Sequence, residues 1–337
     1  MPSPTRILIL HTGGTIGMAA AADGYRPLAG FPERLRQRLE SSADHPASDY
    51  DIVELPPIDS ADLRPAHWPA IAKALLAHWD SHAGFVVLHG TDTMAWSASA
   101  LSFMLRGCAK PVVLTGAQIP LDAAGSDALD NVRGALHFAA SPALCEVSIY
   151  FGGRLLRGNR SRKLAATRLE AFASPNYPAL GEAGNGFVLH DEHLLAAGER
   201  RFCVPVYDDQ AVAVLTLHPG FPAALVDALV ANPRLRGIVL QTYGVGNAPQ
   251  GDRELMTALE RAAARGIVLL NVTQCLYGGI SQETYATGSA LARLGVVAGG
   301  DLTLEAAFAK LHLLLASTDD AAAVRRGMGE TWCGEMS

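Results

Sequence analysis

The sequence has little of what marks secreted, membrane-spanning or nucleic-acid-binding proteins. Its five cysteines are an odd number with no Cys-x-x-Cys pair, so neither a disulfide framework nor a zinc site is indicated. No apolar run approaches the roughly 20 residues of a membrane span, and the apolar run that precedes His11 has only four residues, too few for a signal-peptide core. The formal net charge of −6 argues against a nucleic-acid footprint. These absences predict a cytoplasmic globular protein that binds neither nucleic acid nor membrane.

Lysine is also scarce, because only four of the 27 basic residues are lysines. Lys163 lies in the run Arg160-Ser161-Arg162-Lys163, and a desolvated lysine can lose its proton whereas an arginine cannot. We therefore treat Lys163 as a candidate proton carrier, with an exposed lysine of no special role as the alternative. The arginines from Arg154 to Arg168 are expected to lie mostly in solvent, since arginine is seldom fully buried.

Short β-branched runs recur along the chain, and each leads through a turn into a helix-like segment. This alternation is typical of βαβ units around a parallel sheet. A chain of 337 residues exceeds the size at which a single core keeps growing. We predict an α/β protein with a larger, doubly wound N-terminal domain over 1–185, a linker over 186–210 and a smaller C-terminal α/β domain over 211–337. The predicted strands cover 7–10, 85–88, 111–114, 147–151, 212–217, 237–240 and 266–270.

Two polar clusters directly follow predicted strands, Thr12-Gly13-Gly14-Thr15-Ile16-Gly17 and His89-Gly90-Thr91-Asp92-Thr93. Ligands of open parallel sheets bind outside the carboxyl ends of the strands, so both clusters are predicted to face one pocket. Gly13 and Gly14 allow a sharp turn and leave backbone amides for an anion or oxyanion, while Thr15 presents a hydroxyl. The alternative is a plain Gly-Gly turn with Thr15 as a helix cap. The glycine spacing fits neither a dinucleotide fingerprint nor a P-loop.

Thr91 and Asp92 place a carboxylate beside a hydroxyl at a strand end. Such a pair either holds a substrate ammonium or orients a proton-transfer chain, and the alternative is a helix N-cap. His11 and His89 adjoin the two clusters but have no partner at metal-ligand spacing, so we interpret them as hydrogen-bonded strand-end histidines.

Tyr25 lies in a segment, 17–30, that shows neither helical nor strand periodicity. A loop that follows a nucleophile strand can close over the pocket, deliver a phenol and expel water. We therefore predict a lid that carries Tyr25, and the alternative is a tyrosine packed on the surface.

These residues resemble the bacterial-type L-asparaginases, most closely their cytosolic, type I branch. The resemblance covers nearly the whole chain, and the paired Thr-Gly-Gly-Thr-Ile and His-Gly-Thr-Asp-Thr motifs, in this order and at this separation, are highly specific. It implies a homodimer or homotetramer with active sites between subunits. It also implies hydrolysis of the L-asparagine side-chain amide to aspartate and ammonia, without metal or organic cofactor.

The resemblance also implies roles for individual residues. Thr15 resembles the nucleophile and Tyr25 its activating neighbour, while Thr91, Asp92 and Lys163 resemble a second polar relay. Which threonine attacks first is left open. The residues implied to bind substrate are Gly14, Asp59, Ser60, Thr91 and Asp92, and those implied to reach a neighbouring subunit are Asn247 and Glu283.

One position departs from the periplasmic relatives, because Ala61 follows Ser60 where those relatives have a glutamine. Asp59 is the candidate to replace that substrate contact. Two alternative functions are weighed against the asparaginase: the amide-releasing subunit of a tRNA-dependent amidotransferase, which would favour additional sequence before the motif at residue 12, and a non-catalytic amino-acid-binding regulator. The complete set of hydroxyl, carboxylate and amine groups favours the enzyme, since a binding protein does not require a hydroxyl relay.

Overall fold

The structure is a computed structural model that describes residues 5–21, 24–41, 48–281 and 286–337. The chain divides into two compact units, Met1–Val204 and Pro205–Ser337. This division lies within the span 186–210 that the sequence assigns to a linker. The first four residues of that span form a strand of the first unit, Gly186–Leu189.

The first unit alternates strands with helices. Its strands are β1 (Ile7–His11), β2 (Met18–Ala21), β3 (Gly24–Pro27), β4 (Tyr50–Glu54), β5 (Gly84–Leu88), β6 (Val112–Thr115), β7 (Val147–Phe151), β8 (Arg154–Arg157), β9 (Arg162–Lys163), β10 (Phe172–Ala173), β11 (Gly181–Gly184) and β12 (Gly186–Leu189). Its helices are α1 (Phe31–Glu40), α2 (Trp68–Ala77), α3 (Met94–Met104) and α4 (Ala128–Ala139).

Eight of these strands form one sheet in the order β12-β11-β8-β7-β6-β5-β1-β4. The neighbouring strands β4, β1, β5, β6 and β7 are parallel to one another. Beyond β7, strands β8, β11 and β12 continue the sheet in antiparallel pairs. Alternate side chains of a strand point to opposite faces. Ile7 and Ile9 pack in a core with α1 and α4, and Leu8 and Leu10, on the opposite face, are equally buried. The sheet is therefore covered on both faces, as the predicted doubly wound class requires.

The strand order positions the site. From β1 the chain runs to β4 on one side, and from β4 it crosses to β5 on the other side of β1. Ligands of open α/β sheets bind where the strand order reverses in this way. The pairing aligns His11 with Leu88, and Leu88 with Thr115, so the carboxyl ends of β1, β5 and β6 share one edge. The loops that follow these three strands form the candidate site.

The second unit is a smaller parallel sheet in the order β13 (Val212–Thr216), β14 (Gly237–Thr242), β15 (Val268–Thr273) and β16 (Val297–Ala298). Its helices are α5 (Ala223–Val230), α6 (Arg253–Ala264), α7 (Ala286–Arg293), α8 (Leu304–Ser317) and α9 (Ala321–Met328). Helices α5 and α6 bury their apolar side chains against one face of the sheet, and α8 packs against β13, β14 and β15. No helix within the described ranges is long and apolar enough to cross a membrane.

The predicted α/β class is confirmed, and each predicted strand coincides with an observed one. The sequence did not indicate the hairpin in which β2 pairs with β3. Both hairpin strands lie at the surface, and all four residues of β3 are exposed. A strand that buries neither face has no apolar alternation, which is why the segment 17–30 showed no period.

Candidate active site

The loops after β1 and β5 contact each other through glycine backbones. Gly14 has φ of 91°, and a Cβ built there would lie 2.4 Å from the Gly90 nitrogen. A Cβ at Gly90 would lie 2.4 Å from Ser60 Oγ. Neither glycine can therefore carry a side chain unless the loops separate. This close approach places Gly14, which precedes Thr15, beside Gly90, which precedes Thr91, with the Ser60 side chain against Gly90. The three loops therefore meet at one crevice.

Thr15 begins a short 3-10 turn that ends at Gly17 and is anchored by the fully buried Ile16. Among the described residues, its half-buried hydroxyl has no hydrogen-bond partner. The backbone amides of Gly14 and Thr91 likewise donate to no acceptor in the described part of the chain. One hydroxyl and two amides at this crevice are thus available to a bound molecule.

Lys163 contacts both polar residues of the second cluster. Its Nζ lies 2.7 Å from Thr91 Oγ1 and 2.8 Å from Asp92 Oδ1. The lysine side chain is 18% exposed, whereas that of Asp92 is 62% exposed. An ion pair so open to water contributes little to stability. Its significance is geometric, since an amine and a carboxylate are held against the Thr91 hydroxyl.

A buried arginine cluster supports the segment that carries Lys163. Arg157 forms an ion pair of 2.6 Å with Glu146 in which both side chains are buried. Arg157 and Arg160 both lie over the Tyr177 ring, at 4.2 and 5.4 Å from its centroid. The expectation that the arginines of this segment lie mostly in solvent is therefore wrong for these two, because a carboxylate and an aromatic face replace the lost water.

Gln118 is a site residue that was not predicted from the sequence. Its Oε1 accepts a hydrogen bond from Thr91 Oγ1 at 3.3 Å, and its Nε2 donates to the carbonyls of Ala166 and Arg168 at 3.1 Å each. The Asp127 carboxylate accepts the backbone N–H of Gln118 at 3.0 Å. Gln118 thus ties Thr91 to the loop that follows Lys163. It follows β6, the third strand to end at this edge, and this position after a strand end is the signal by which the sequence indicates it.

We expect Gln118→Leu to lower kcat/KM by about 10- to 100-fold, the scale of a small misplacement of reacting groups. Leucine keeps the volume but removes the acceptor for Thr91 and both donors to the loop. Steady-state kinetics and circular dichroism measure the effect, and Gln118→Glu, which keeps the acceptor alone, should lie between Leu and the native residue. Native kcat/KM in the folded Leu variant would contradict a positioning role.

The interpretation as hydrogen-bonded histidines is confirmed for both ring nitrogens of His89 and for one of His11, whose buried Nε2 has no partner among the described residues. His89 Nδ1 donates to the Gly90 carbonyl at 2.7 Å, and its Nε2 accepts from Ser97 Oγ at 2.9 Å. His11 Nδ1 lies 3.0 Å from Glu54 Oε1. Burial lowers the pKa of both rings, and for His11 it outweighs the opposing effect of Glu54. No group of three or more metal-ligating side chains occurs among the described residues.

Asp59 and Ser60 lie in the loop after β4. Asp59 Oδ1 accepts the Ala61 N–H at 3.0 Å and so caps the short turn that begins at Ser60. Thr93 Oγ1 donates to the Ser60 carbonyl at 2.8 Å. In this structure the Asp59 carboxylate therefore shapes the backbone around Ser60.

Three further residues were predicted at the site, Tyr25, Asn247 and Glu283. Tyr25 lies on β3, and 58% of it is exposed. Asn247 belongs to the second unit, where its backbone N–H donates to the Tyr243 carbonyl at 2.8 Å. Glu283 lies outside the described residues.

Comparison with known proteins gives consistent matches along the chain. Residues 6–194 match the family model "Asparaginase, N-terminal", and residues 211–328 match "Glutaminase/Asparaginase C-terminal domain". The chain is 42% identical to L-asparaginase 1 of Escherichia coli strain K12 over 98% of both proteins. The crystal structure of L-asparaginase I from Vibrio cholerae superposes with a TM-score of 0.89 at 40% identity, over 99% of this chain and 100% of that one. A glutamyl-tRNA(Gln) amidotransferase component of Thermococcus kodakarensis is 34% identical over all of this chain and 77% of its own length.

Proposed function

This chain belongs to the asparaginase family, and we propose that it is an L-asparaginase of the cytosolic, type I branch. It hydrolyses the side-chain amide of L-asparagine to L-aspartate and ammonia. The observation that carries this proposal is the contact of Lys163 with Thr91 and Asp92 beside the loop of Thr15. A hydroxyl, an amine and a carboxylate at one strand edge suit acyl transfer from a small amino acid.

The chemistry proceeds in two halves. The Thr15 hydroxyl is assigned the attack on the amide carbon, the hydroxyl proton is transferred to the departing nitrogen, and ammonia leaves an ester on Thr15. Water then cleaves this ester to release aspartate and restore the hydroxyl. The amides of Gly14 and Thr91 stabilise the oxyanion in both halves, because they have no other acceptor among the described residues. Lys163 exchanges a proton with Thr91, over the 2.7 Å that separates them.

Selection for an α-amino acid follows from two charged contacts at fixed separation. Asp92 gives one oxygen to Lys163 and keeps the other for the α-ammonium of the substrate. Ser60 receives the α-carboxylate, and the turn capped by Asp59 orients it there. A substrate that lacks either charge loses a charge-assisted bond and leaves a protein group unpaired.

The assembly we propose is a homodimer or homotetramer in the cytoplasm. In it Asn247 and Glu283 approach a neighbouring subunit's pocket, and no metal or organic cofactor takes part. Mixing Thr15→Ala subunits with Glu283→Ala subunits tests the shared site. Mixed oligomers should regain activity if each variant is inactive alone and exchange is confirmed, and no recovery would remove Glu283 from the catalytic set.

Release of ammonia from L-asparagine by the purified protein tests the proposed function directly. An L-asparaginase releases one ammonia per aspartate without any added protein or RNA. An amidotransferase subunit would show substantial release only with its partner and charged tRNA, and a regulator would bind asparagine without turnover. Binding without ammonia release under all conditions would refute the proposal.

For Tyr25 we expect that Tyr25→Phe lowers kcat by about 10²-fold or more, the scale of a lost acid–base group, with a smaller effect on substrate binding. The phenol is proposed to act on the Thr15 hydroxyl rather than to hold the substrate. Single-turnover kinetics measure the first effect, and titration of asparagine into a Thr15→Ala background measures the second. A change confined to affinity would reduce Tyr25 to a lid contact.

A further inference from the structure

An apolar cavity of about 170 Å³ lies within the first unit, beside the loops that carry the candidate site. Its aliphatic walls come from the loop after β4 and from α2, namely Leu55, Ile58, Leu63 and Ile71. Residues at its mouth, such as Pro56 and Ala70, are exposed. None of Thr15, Thr91, Asp92 and Lys163 lines it. Ser60, to which the substrate α-carboxylate is assigned, is part of its lining, so the cavity adjoins the crevice at that residue.

Two of the polar residues that line this cavity, Thr12 and His89, already have hydrogen-bond partners. Thr12 Oγ1 donates to the Leu88 carbonyl at 2.9 Å, and both ring nitrogens of His89 have partners. These residues therefore offer little to water. Dry cavities of about 150 Å³ bind a molecule the size of benzene, so this volume fits one six-membered ring with a short substituent.

Besides the Ser60 hydroxyl, which is assigned to the substrate, one side-chain donor remains at the wall of the cavity. His67 Nδ1 accepts the Arg64 N–H at 3.0 Å, so the proton of the neutral ring is on Nε2. No described residue accepts a hydrogen bond from that nitrogen. An occupant with an apolar body and a single oxygen acceptor satisfies both the walls and this donor.

We propose that this cavity is a binding site for a small monocyclic aromatic molecule that carries one hydrogen-bond acceptor. Its occupancy is coupled to substrate affinity through the loop that contains Ile58 and Ser60. The Ile58 N–H donates to the Thr12 carbonyl at 2.9 Å, and a Cβ at Gly13 would lie 2.3 Å from the Ile58 carbonyl oxygen. Ser60 supports the second loop in the same way, because a Cβ at Gly90 would lie 2.4 Å from Ser60 Oγ. The wall of the cavity is therefore also the support of both catalytic loops.

Anisole and ethylbenzene form a matched pair of probes, since they have the same size and only anisole has an acceptor. Binding is measured by isoleucine methyl NMR of the intact oligomer, with the Ile58 and Ile71 methyl groups assigned by substitution. We expect both probes to shift these methyl signals, with anisole bound about 3- to 10-fold more tightly, the effect of one net hydrogen bond. His67→Phe should abolish that preference. Absence of shifts, as when a second copy of the chain already fills the cavity, would overturn the proposal.

Substitutions on α2 locate the binding. Ala70→Leu places a larger side chain at the cavity and should weaken both probes at least tenfold. Ala77→Leu makes the same change about two turns further along the helix, at an exposed position that does not line the cavity, and should leave binding unchanged. Ala66→Leu provides a second filling variant if Ala70→Leu fails to fold. Equal binding to the filled and control variants would place the probe elsewhere and refute the site.

The coupling rests on the proposed asparaginase function, whereas the methyl shifts do not. In the Thr15→Ala background, anisole should change the Kd of asparagine at least threefold. Linkage requires asparagine to change the Kd of anisole by the same factor. Methyl shifts without reciprocal coupling would refute regulation and retain the site. Failure of asparagine itself to bind would count against the proposed function.

Discussion

Thr15→Ala should abolish ammonia release, with a loss of about 10⁴-fold or more in kcat, the scale seen when a nucleophile is removed. The substitution deletes a half-buried hydroxyl that has no partner among the described residues, so the fold loses neither core volume nor a described hydrogen bond. Ammonia release, circular dichroism and thermal denaturation together measure the result. Thr15→Ser, which keeps a hydroxyl, should retain measurable turnover.

Thr12→Val is the matched control at the end of the same strand. Thr12 Oγ1 donates to the Leu88 carbonyl, which also accepts the Thr12 N–H at 3.0 Å. Valine therefore removes one of two bonds to that carbonyl and should cost about 1 kcal/mol of stability while turnover stays within about tenfold of native. If Thr15→Ala kept native turnover, or if the two variants lost turnover equally, the assignment of Thr15 as nucleophile would be wrong.

Lys163→Arg should lower turnover by about 10² to 10⁴-fold, the usual scale of a lost general acid or base. Arginine retains the positive charge and the pairing with Asp92, but with a pKa above about 12 it cannot release a proton near neutrality. The short contacts of Lys163 with Thr91 Oγ1 and Asp92 Oδ1 require only a hydrogen-bond donor and a positive charge at this position, and arginine supplies both. The substitution therefore tests proton release by itself. Steady-state rates of the variant should therefore lie below those of the native protein throughout the range from pH 6 to 10.

Lys110→Arg provides the control for the same change of residue type. Lys110 Nζ donates to the carbonyls of Trp79 and His82, away from the strand-end crevice, and no proton transfer is assigned to it. This variant should keep native turnover even if its stability falls. Near-native rates for Lys163→Arg would instead show that Lys163 supplies only charge. In that case Thr91→Val tests the role of the hydroxyl apart from that of the amine, because it removes the group on which Lys163 is proposed to act.

The location of the site could be predicted from sequence because its signals are local. An apolar run that is followed by Thr12-Gly13-Gly14-Thr15 indicates a buried strand and then a turn that favours glycine, and His89-Gly90-Thr91 repeats the signal after the next apolar run. Parallel strands end at a common edge, so two such signals predict one pocket. The same motifs supported the family assignment.

Contacts between distant segments were decided only by the tertiary structure. Gln118 reaches Thr91 across 27 residues, and Lys163 reaches it across 72. The family resemblance grouped Lys163 with Thr91, but no local pattern gave the contact of either residue with the Thr91 hydroxyl. The burial of Arg157 likewise depends on Glu146, which lies 11 residues earlier, directly before β7, the strand that pairs with β8. Periodicity reports which face of a segment is buried but not which polar groups meet there. The sequence by itself therefore determined seven parallel strands of the two larger sheets, the polar ends of β1 and β5 and the reaction class, whereas packing decided which side chains position Thr91 and Lys163.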